Sequence, residues 1–302
     1  MASHTRMNLS AGIASSLVAL TLVGLKVWAL GDTGALSVAA SLADSAMDLM
    51  VSLGGLAAIA YAARPADDDH AFGHSSAEDL AALGQSLFIM VSAAVIGWAA
   101  VARLLSDDPV TLANEGRGIV VMSVSIALTI ALVGWQRFVA RRTGSRVVRA
   151  DSLHYLGDLL PNLGAIVSLW ASAAFGLASI DSIVAIGAAL MLVVGAINIF
   201  KGAWDALMDR AADDTTIAGI ESVVRDFPGV YGFHDLKTRM AGSVTFVNLH
   251  IELDGNQTLD EAHAIGAALR RKLLNEFPDT DVLIHKDPVG VEPHPEDPSR
   301  QT

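Results

Sequence analysis

The stretch Ala150–Trp170, ADSLHYLGDLLPNLGAIVSLW, places Asp151, His154 and Asp158 at the head of an otherwise apolar run. An ionised carboxylate at the centre of a membrane helix costs about 2.5–3.5 kcal/mol even on a lenient scale. Such a run tolerates these groups only if something compensates them. His154 and Asp158 are four residues apart and therefore share one helix face, with Asp151 one turn earlier. A matching pair, Asp44 and Asp48, lies in SLADSAMDLMVS at 41–52. Uncompensated, Asp44, Asp48 and Asp158 would together cost on the order of 8–10 kcal/mol. Hydrogen bonds between helices, or a position near an interface, would account for one such aspartate. They account less well for two i,i+4 pairs on two helices. Three carboxylates and one imidazole make four ligands, the tetrahedral number for zinc, and a divalent cation removes the repulsion among them. The sequence thus points to a metal held inside the membrane.

Composition supports a membrane setting. Of 302 residues, 52% are hydrophobic and 17% charged, with a mean hydropathy of +0.47. The chain has no cysteine, so disulfides and thiolate metal sites are excluded and any metal falls to histidine and carboxylate. A net charge of -12 leaves no basic stripe for nucleic acid and fits a protein that handles cations. Six stretches approach the roughly 20 apolar residues a span needs, at about 9–30, 34–62, 80–105, 117–139, 150–175 and 179–201. The opening MASHTRMNLSAGIASSLVAL lacks the charged start and cleavage site of a secretory signal and reads as a retained first span. Lys26, near the end of that span, is expected to snorkel to the interface. The segment WQRFVARRTGSRVVRA, read as the loop between spans four and five, carries Arg137, Arg141, Arg142, Arg146 and Arg149. The short loops GDTG and LSDDPVTLANEGRG on the other side are mostly acidic. The positive-inside rule then puts the arginines, and with six spans both termini, in the cytoplasm.

The expected organisation is a transmembrane domain at 1–204, a cytoplasmic domain at 205–292 and a disordered Pro-rich tail at 293–302. Within the second part, TTIAGIESVVRDF is an amphipathic helix and 230–241 an extended run. SVTFVNLHIEL alternates, with Thr245, Val247, Leu249, Ile251 and Leu253 on one face and Asn248, His250 and Glu252 on the other. LDEAHAIGAALRRKLLNEF is a second helix and DVLIHKDP a third strand. The predicted fold is therefore an α-helical membrane protein of six helices followed by a small αββαβ domain of the open α+β type.

Two further groups have ligand chemistry. Asp67, His70 and His74, spaced three and four apart in RPADDDHAFGHSSAED, can converge on one ion, although His/Asp groups are also ordinary in solvated loops. In the soluble part, His285 and Asp287 face the same side of one strand, with His250 and His234 on neighbouring strands and His263 on the second helix. Four histidines in so short a stretch, beside a strand-paired aspartate, suggest a structural metal site.

Taken together, DSAMD (44–48), DDDHAFGHSSAEDLAALGQS (67–86), ADSLHYLGD (150–158) and HDLKTR (234–239) through IHKDP (284–288) resemble the cation diffusion facilitators, nearest to the bacterial zinc and iron efflux branch. The resemblance runs from about residue 8 to 292. It implies six spans plus a cytoplasmic metallochaperone-like domain, a homodimer in the bacterial inner membrane, and exchange of a divalent metal for protons. By position it implies a transport site of Asp44, Asp48, His154 and Asp158, a loop site of Asp67, His70 and His74, and a binuclear cytoplasmic site of His234, His250, His263, His285 and Asp287, with the aspartate bridging. The DxxxD and HxxxD pairs resemble the zinc type of site. One position departs from the pattern. Where relatives usually read HGKAE this chain has HSSAE, so Ser76 replaces a lysine thought to pair across the dimer with an aspartate, here Asp209. Ser76 cannot supply that charge, which removes the ground for such a lock.

The implied activity is Zn²⁺ export, with Cd²⁺ and Fe²⁺ as possible cargoes. Zinc needs deprotonated ligands, so binding and protonation compete. Free histidine titrates near pH ~6.5, which makes His154 the natural exchange group in an alternating-access cycle. A membrane zinc hydrolase would keep three protein ligands and an open position for water, whereas four candidate ligands fill that shell. The remaining alternative is a non-transporting metal sensor or scaffold whose dimer is tightened by metal.

Overall fold

The computed structural model describes residues 2–33, 36–105, 116–175 and 180–290; the proposed tail lies outside them. The chain folds as two compact units that divide at Trp204 and Asp205. The first holds six long helices: α1 (Ala2–Thr33), α2 (Leu36–Ala62), α3 (Ser76–Leu104), α4 (Gly116–Thr143), α5 (Arg146–Phe175) and α6 (Ile180–Leu207). Among the described residues, five segments are long and apolar enough to cross a membrane: His4–Trp28, Asp44–Ala62, Ser76–Ala102, Ser123–Thr143 and Ile183–Leu207. At 30 residues α5 has the length, but its fully described part carries Arg146, Arg149, Asp151 and Asp158.

The arginine-rich segment is not a loop. Arg137, Arg141 and Arg142 extend α4, while Arg146 and Arg149 open α5, leaving only Gly144 and Ser145 between the helices. Arginine is a good helix former, and the break falls at Gly144, whose φ of 72° favours a residue without a Cβ. Arg141 and Arg142 in the last turn of α4 also complement its partial negative end. The charges keep their place in the chain, so the orientation argument is unchanged.

Helix packing here relies on small residues and on hydrogen bonds made inside the bundle, as expected where hydrocarbon offers no partner. Ala11, Ala82, Ala140, Ala150 and Ala203 are buried together with Val139, Val147 and Ile199. Beside them, Glu78 of α3 accepts from Asn8 Nδ2 of α1 (3.2 Å) and from Ser145 Oγ at the α4–α5 turn (2.8 Å). Arg146 Nη1 donates to Asp79 at 2.6 Å, joining α5 to α3. Further along, Ser15 of α1 donates to Ser52 of α2, and Ser52 meets the Tyr155 hydroxyl of α5, both at 2.8 Å. That chain sets the face of α5 bearing His154 against the face of α2 bearing Asp48, one turn from Ser52. Near the end of the first apolar segment, Lys26 Nζ donates to Ser45 Oγ of α2 at 2.6 Å.

The second unit contains α7 (Asp214–Arg225), β1 (Gly232–Ala241), β2 (Val244–Leu253), α8 (Leu259–Glu276) and β3 (Thr280–Pro288), which is the αββαβ order. The strand order is β1-β2-β3, with β1 antiparallel and β3 parallel to the central β2. Val247, Leu249, Ile251 and Leu253 of β2 pack with Ile220 and Val224 of α7 and with Leu269 and Leu273 of α8. Both helices therefore cover one face and leave His250 and Glu252 on the other. Thr258 and Glu261 form a capping box at the start of α8. Asp213 caps α7 by accepting from the N–H groups of Thr215 and Thr216 at 3.1 and 3.0 Å. Asp209, just after α6, is paired with Arg239 of β1 at 3.2 Å.

Two outcomes follow from this packing. Asp79 is fully buried, so Arg146→Ala removes the charged partner of a buried carboxylate and is expected to cost about 3 kcal/mol. Thermal unfolding of the detergent-solubilised chain should show that loss, and adding Asp79→Asn should recover most of it. Hydrogen bonds from Thr215 and Thr216 hold the Asp213 carboxyl down to about 2. A depressed carboxylate contributes stability above its unfolded value of ~3.9 and loses it as pH falls through the folded value. Asp213→Ala should thus cost about 1 kcal/mol at neutral pH, and the difference in melting should shrink progressively as pH falls toward and through about 2.

Candidate metal centre

Between α2 and α5, Asp48 and His154 meet: Asp48 Oδ1 lies 3.2 Å from His154 Nε2, and Asp158 Oδ2 lies 3.9 Å from the same nitrogen. One donor atom from each of the three residues falls within 4.8 Å of the others. That spacing lets all three reach one ion, since Zn–N and Zn–O bonds are about 2.0–2.2 Å. Asp48 and His154 are buried and Asp158 is half-buried. Phe88 of α3 stands edge-on to the imidazole at 5.6 Å between ring centroids and restricts its tilt. The cluster opens on a cavity of about 600 Å³, also lined by Asp44. Asp44 sits one turn before Asp48, more exposed, and outside the three-residue group. Asp151 is separate: its Oδ2 accepts from Gln136 Nε2 of α4 at 2.7 Å. The three polar residues of the opening motif thus divide, with His154 and Asp158 facing α2 and Asp151 serving the α4–α5 contact.

The loop group also converges. Asp67 Oδ1 accepts from the His70 backbone N–H at 2.7 Å and lies 3.1 Å from His70 Nδ1, while Oδ2 is 3.4 Å from His74 Nε2. The backbone bond from His70, with help from its ring, holds the Asp67 carboxyl below the usual carboxylate range. His74 is buried edge-on to Tyr61 at 4.7 Å, whereas Asp67 and His70 are exposed.

On the open face of the sheet, strand register does what helix periodicity does in the membrane. His234 pairs with His250 across β1–β2, and His250 with His285 across β2–β3. Asp287 reaches all three: Oδ2 is 2.9 Å from His250 Nδ1 and 3.6 Å from His234 Nε2, and Oδ1 is 3.2 Å from His285 Nε2. Sharing its two oxygens in this way is the geometry a bridging carboxylate requires. His234, His250 and Asp287 form the tight group, and His285 stacks on His250 at 4.6 Å. His263, on α8, is exposed and outside that group. Two acidic neighbours escaped the sequence reading. Glu252 Oε1 lies 3.3 Å from His234 Nδ1, and Asp235 Oδ2 lies 4.0 Å from His250 Nε2. Glu252 was signalled by its place two residues from His250 on the polar face. Asp235 was not, because it turns inward through a left-handed φ of 50° at an irregularity in β1.

Helices with a ligand cluster between them, followed by an αββαβ domain with a second cluster on its sheet, define a membrane transporter of metal cations. Comparison with known proteins agrees. Residues 12–208 match the cation efflux transmembrane domain, and residues 212–289 match the cytoplasmic domain of cation efflux proteins. The chain belongs to the cation diffusion facilitator family: it is a multi-pass cation efflux pump with a cytoplasmic C-terminal domain, not an enzyme. It is 39% identical over 291 residues to the cation-efflux pump FieF of Escherichia fergusonii, covering 96% of each chain. Against the FieF of Escherichia coli (strain K12 / DH10B) the identity is 38%, with the same coverage. The metal-bound C-terminal domain of the CzcD transporter from Thermotoga maritima is 29% identical, over 27% of this chain and 100% of that one, with a TM-score of 0.26.

The imidazole and carboxylate donors on the sheet are of the kind that hold divalent transition metals, zinc among them. Replacing His250 and His285 together by Ala is therefore expected to lower the zinc bound per chain and the melting temperature of the soluble unit. Metal analysis and thermal unfolding check this; equal zinc content and equal melting would remove the sheet from the set of metal sites.

Proposed function

We propose that this chain exports a divalent cation, Zn²⁺ first, across the bacterial inner membrane in exchange for protons, working as a homodimer. Cd²⁺ and Fe²⁺ are the other cargoes the donor set admits. The observation that carries the reading is the convergence of Asp48, His154 and Asp158 on one point between two helices, in a cavity of about 600 Å³.

A cation there is bound through the lone pair of His154 Nε2 and through carboxylate oxygens, with Asp44 as the nearby fourth donor. The same lone pairs accept protons, so cargo and protons compete for one set of atoms. A site offered to a metal-rich neutral cytoplasm fills with cation. Offered to a more acidic exterior, it takes protons and lets the cation go. Exchange follows from the ligands themselves. Asp67, His70 and His74 form a loop site, and His234, His250, His285 and Asp287 a resident zinc site on the sheet, to which His263 is the remaining candidate ligand.

Metal-driven proton flux in liposomes tests the reading. Purified wild-type chain should acidify or alkalinise the lumen on a Zn²⁺ gradient, and Asp158→Ala should abolish that flux while leaving a folded dimer. Near-normal flux in Asp158→Ala removes the assigned site; metal binding without flux in the parent favours a sensor or scaffold. Replacing His154 by Asp gives an all-oxygen shell, which favours harder or larger cations. Transport of Mn²⁺ or Cd²⁺ relative to Zn²⁺ should rise, and an unchanged metal profile would reject a selectivity role for His154.

A further inference from the structure

We propose that Lys26 is the fixed countercharge of the transport site, and that it makes the site electrically neutral when it holds one divalent cation. The proposal rests on the reading above that Asp44, Asp48, His154 and Asp158 hold the cargo. Lys26 lines the same cavity as those residues. Its ammonium is held there by the hydrogen bond to Ser45, the residue next to Asp44 on α2.

An ammonium beside a cation site looks counterproductive, because it repels the cargo. The charge count gives it a use. Among the groups that line the cavity, Asp44, Asp48 and Asp158 carry three negative charges when ionised and Lys26 adds one positive; Asp151 lies outside that lining, hydrogen-bonded to Gln136. A ligating histidine is neutral. One divalent cation then brings the sum to zero, whereas a monovalent cation leaves one net negative charge. Net charge is what low-dielectric surroundings penalise, so the neutral loaded state is the one that moves most easily between the two sides. Lys26 also opposes entry of a second divalent ion and weakens the hold on the first, which favours release. It is a positioning and selectivity residue, acting by charge and not by ligation.

The test uses the full-length chain. Zinc titration of the parent and of Asp158→Ala identifies the binding component that belongs to the membrane site. Lys26→Gln is expected to tighten that component on the order of tenfold, since a repelling unit charge has gone. In liposomes the same variant should show a lower KM together with a lower kcat, because the loaded site now carries net charge. Loss of a merely structural tether to Ser45 would weaken binding and would not lower KM. The sequence has no cysteine, so Lys26→Cys can be modified at a single place. An aminoethyl methanethiosulfonate, which restores the positive charge, should return affinity and turnover toward the parent, and a neutral methyl reagent should not. Parental or weaker affinity in folded Lys26→Gln, or equal effects of the charged and neutral reagents, overturns the proposal. If Asp158→Ala removes no binding component, the assignment of the transport site fails and this inference falls with it. If that component is removed but is indifferent to the charge at position 26, only the countercharge role fails.

Discussion

A charge inside the hydrocarbon must find its compensation within the helices, and the membrane unit is organised by that constraint. Its polar side chains fall into two kinds. Some are matched to a partner on another helix: Asp151 to Gln136, Asp79 to Arg146, and Glu78 to Asn8 and Ser145. Such pairs fix one helix against the next. Asp48, His154 and Asp158 are different, because what they face is one another. Two carboxylates and an imidazole aimed at one point repel or share protons unless a cation arrives. The first kind ties helix to helix, and the second is gathered at one point where a cation can be held.

The soluble unit reaches a similar donor set by other means. Helices bring ligands together by i,i+4 spacing on two chain segments. A sheet does so by register, which lines up His234, His250 and His285 across three strands. Asp287 then spans the row with its two oxygens. The row is available because α7 and α8 both pack on the opposite face, where Val247, Leu249 and Ile251 are buried. Alternation along the second half of β2, from Val247 to Leu253, is therefore what separates the ligand face from the core face.

Much of this was legible in the sequence because its signals are periodic. The DxxxD and HxxxD pairs announce a shared helix face, and the alternation at 243–253 announces a half-buried strand. What escaped depends on tertiary geometry. The arginine segment was read as a loop because charge suggests solvent, yet nothing in it except Gly144 stops a helix. The tie from Lys26 to Ser45, a hydroxyl on another helix, cannot be anticipated from spacing within α1. Asp235 joins the histidines through a local backbone irregularity in β1, which residue spacing does not announce. A single chain also gives no means of separating Asp151 from His154 and Asp158, which sit on neighbouring turns of the same helix. Only the position of Gln136 does so.

The distribution of polar ties bears on how such a site is offered to two sides of a membrane. Ser15, Ser52 and Tyr155 join α1, α2 and α5 one turn from the ligands, so the helices that carry Asp48 and His154 are held as one piece. The contacts of α3 and α6 beside the site are of another kind. Phe88 and Ile89 of α3 and Leu192 of α6 line the cavity with apolar surface, and Ile89 and Leu192 pack in a wholly apolar cluster. Apolar surfaces slide without leaving hydrogen bonds unmade, which in hydrocarbon would be costly. At its first turn, however, α3 is fastened to α5 and the α4–α5 turn through Asp79 and Glu78. At one end α3 is thus tied by charge and hydrogen bonds, and beside the site it meets its neighbours largely through apolar side chains.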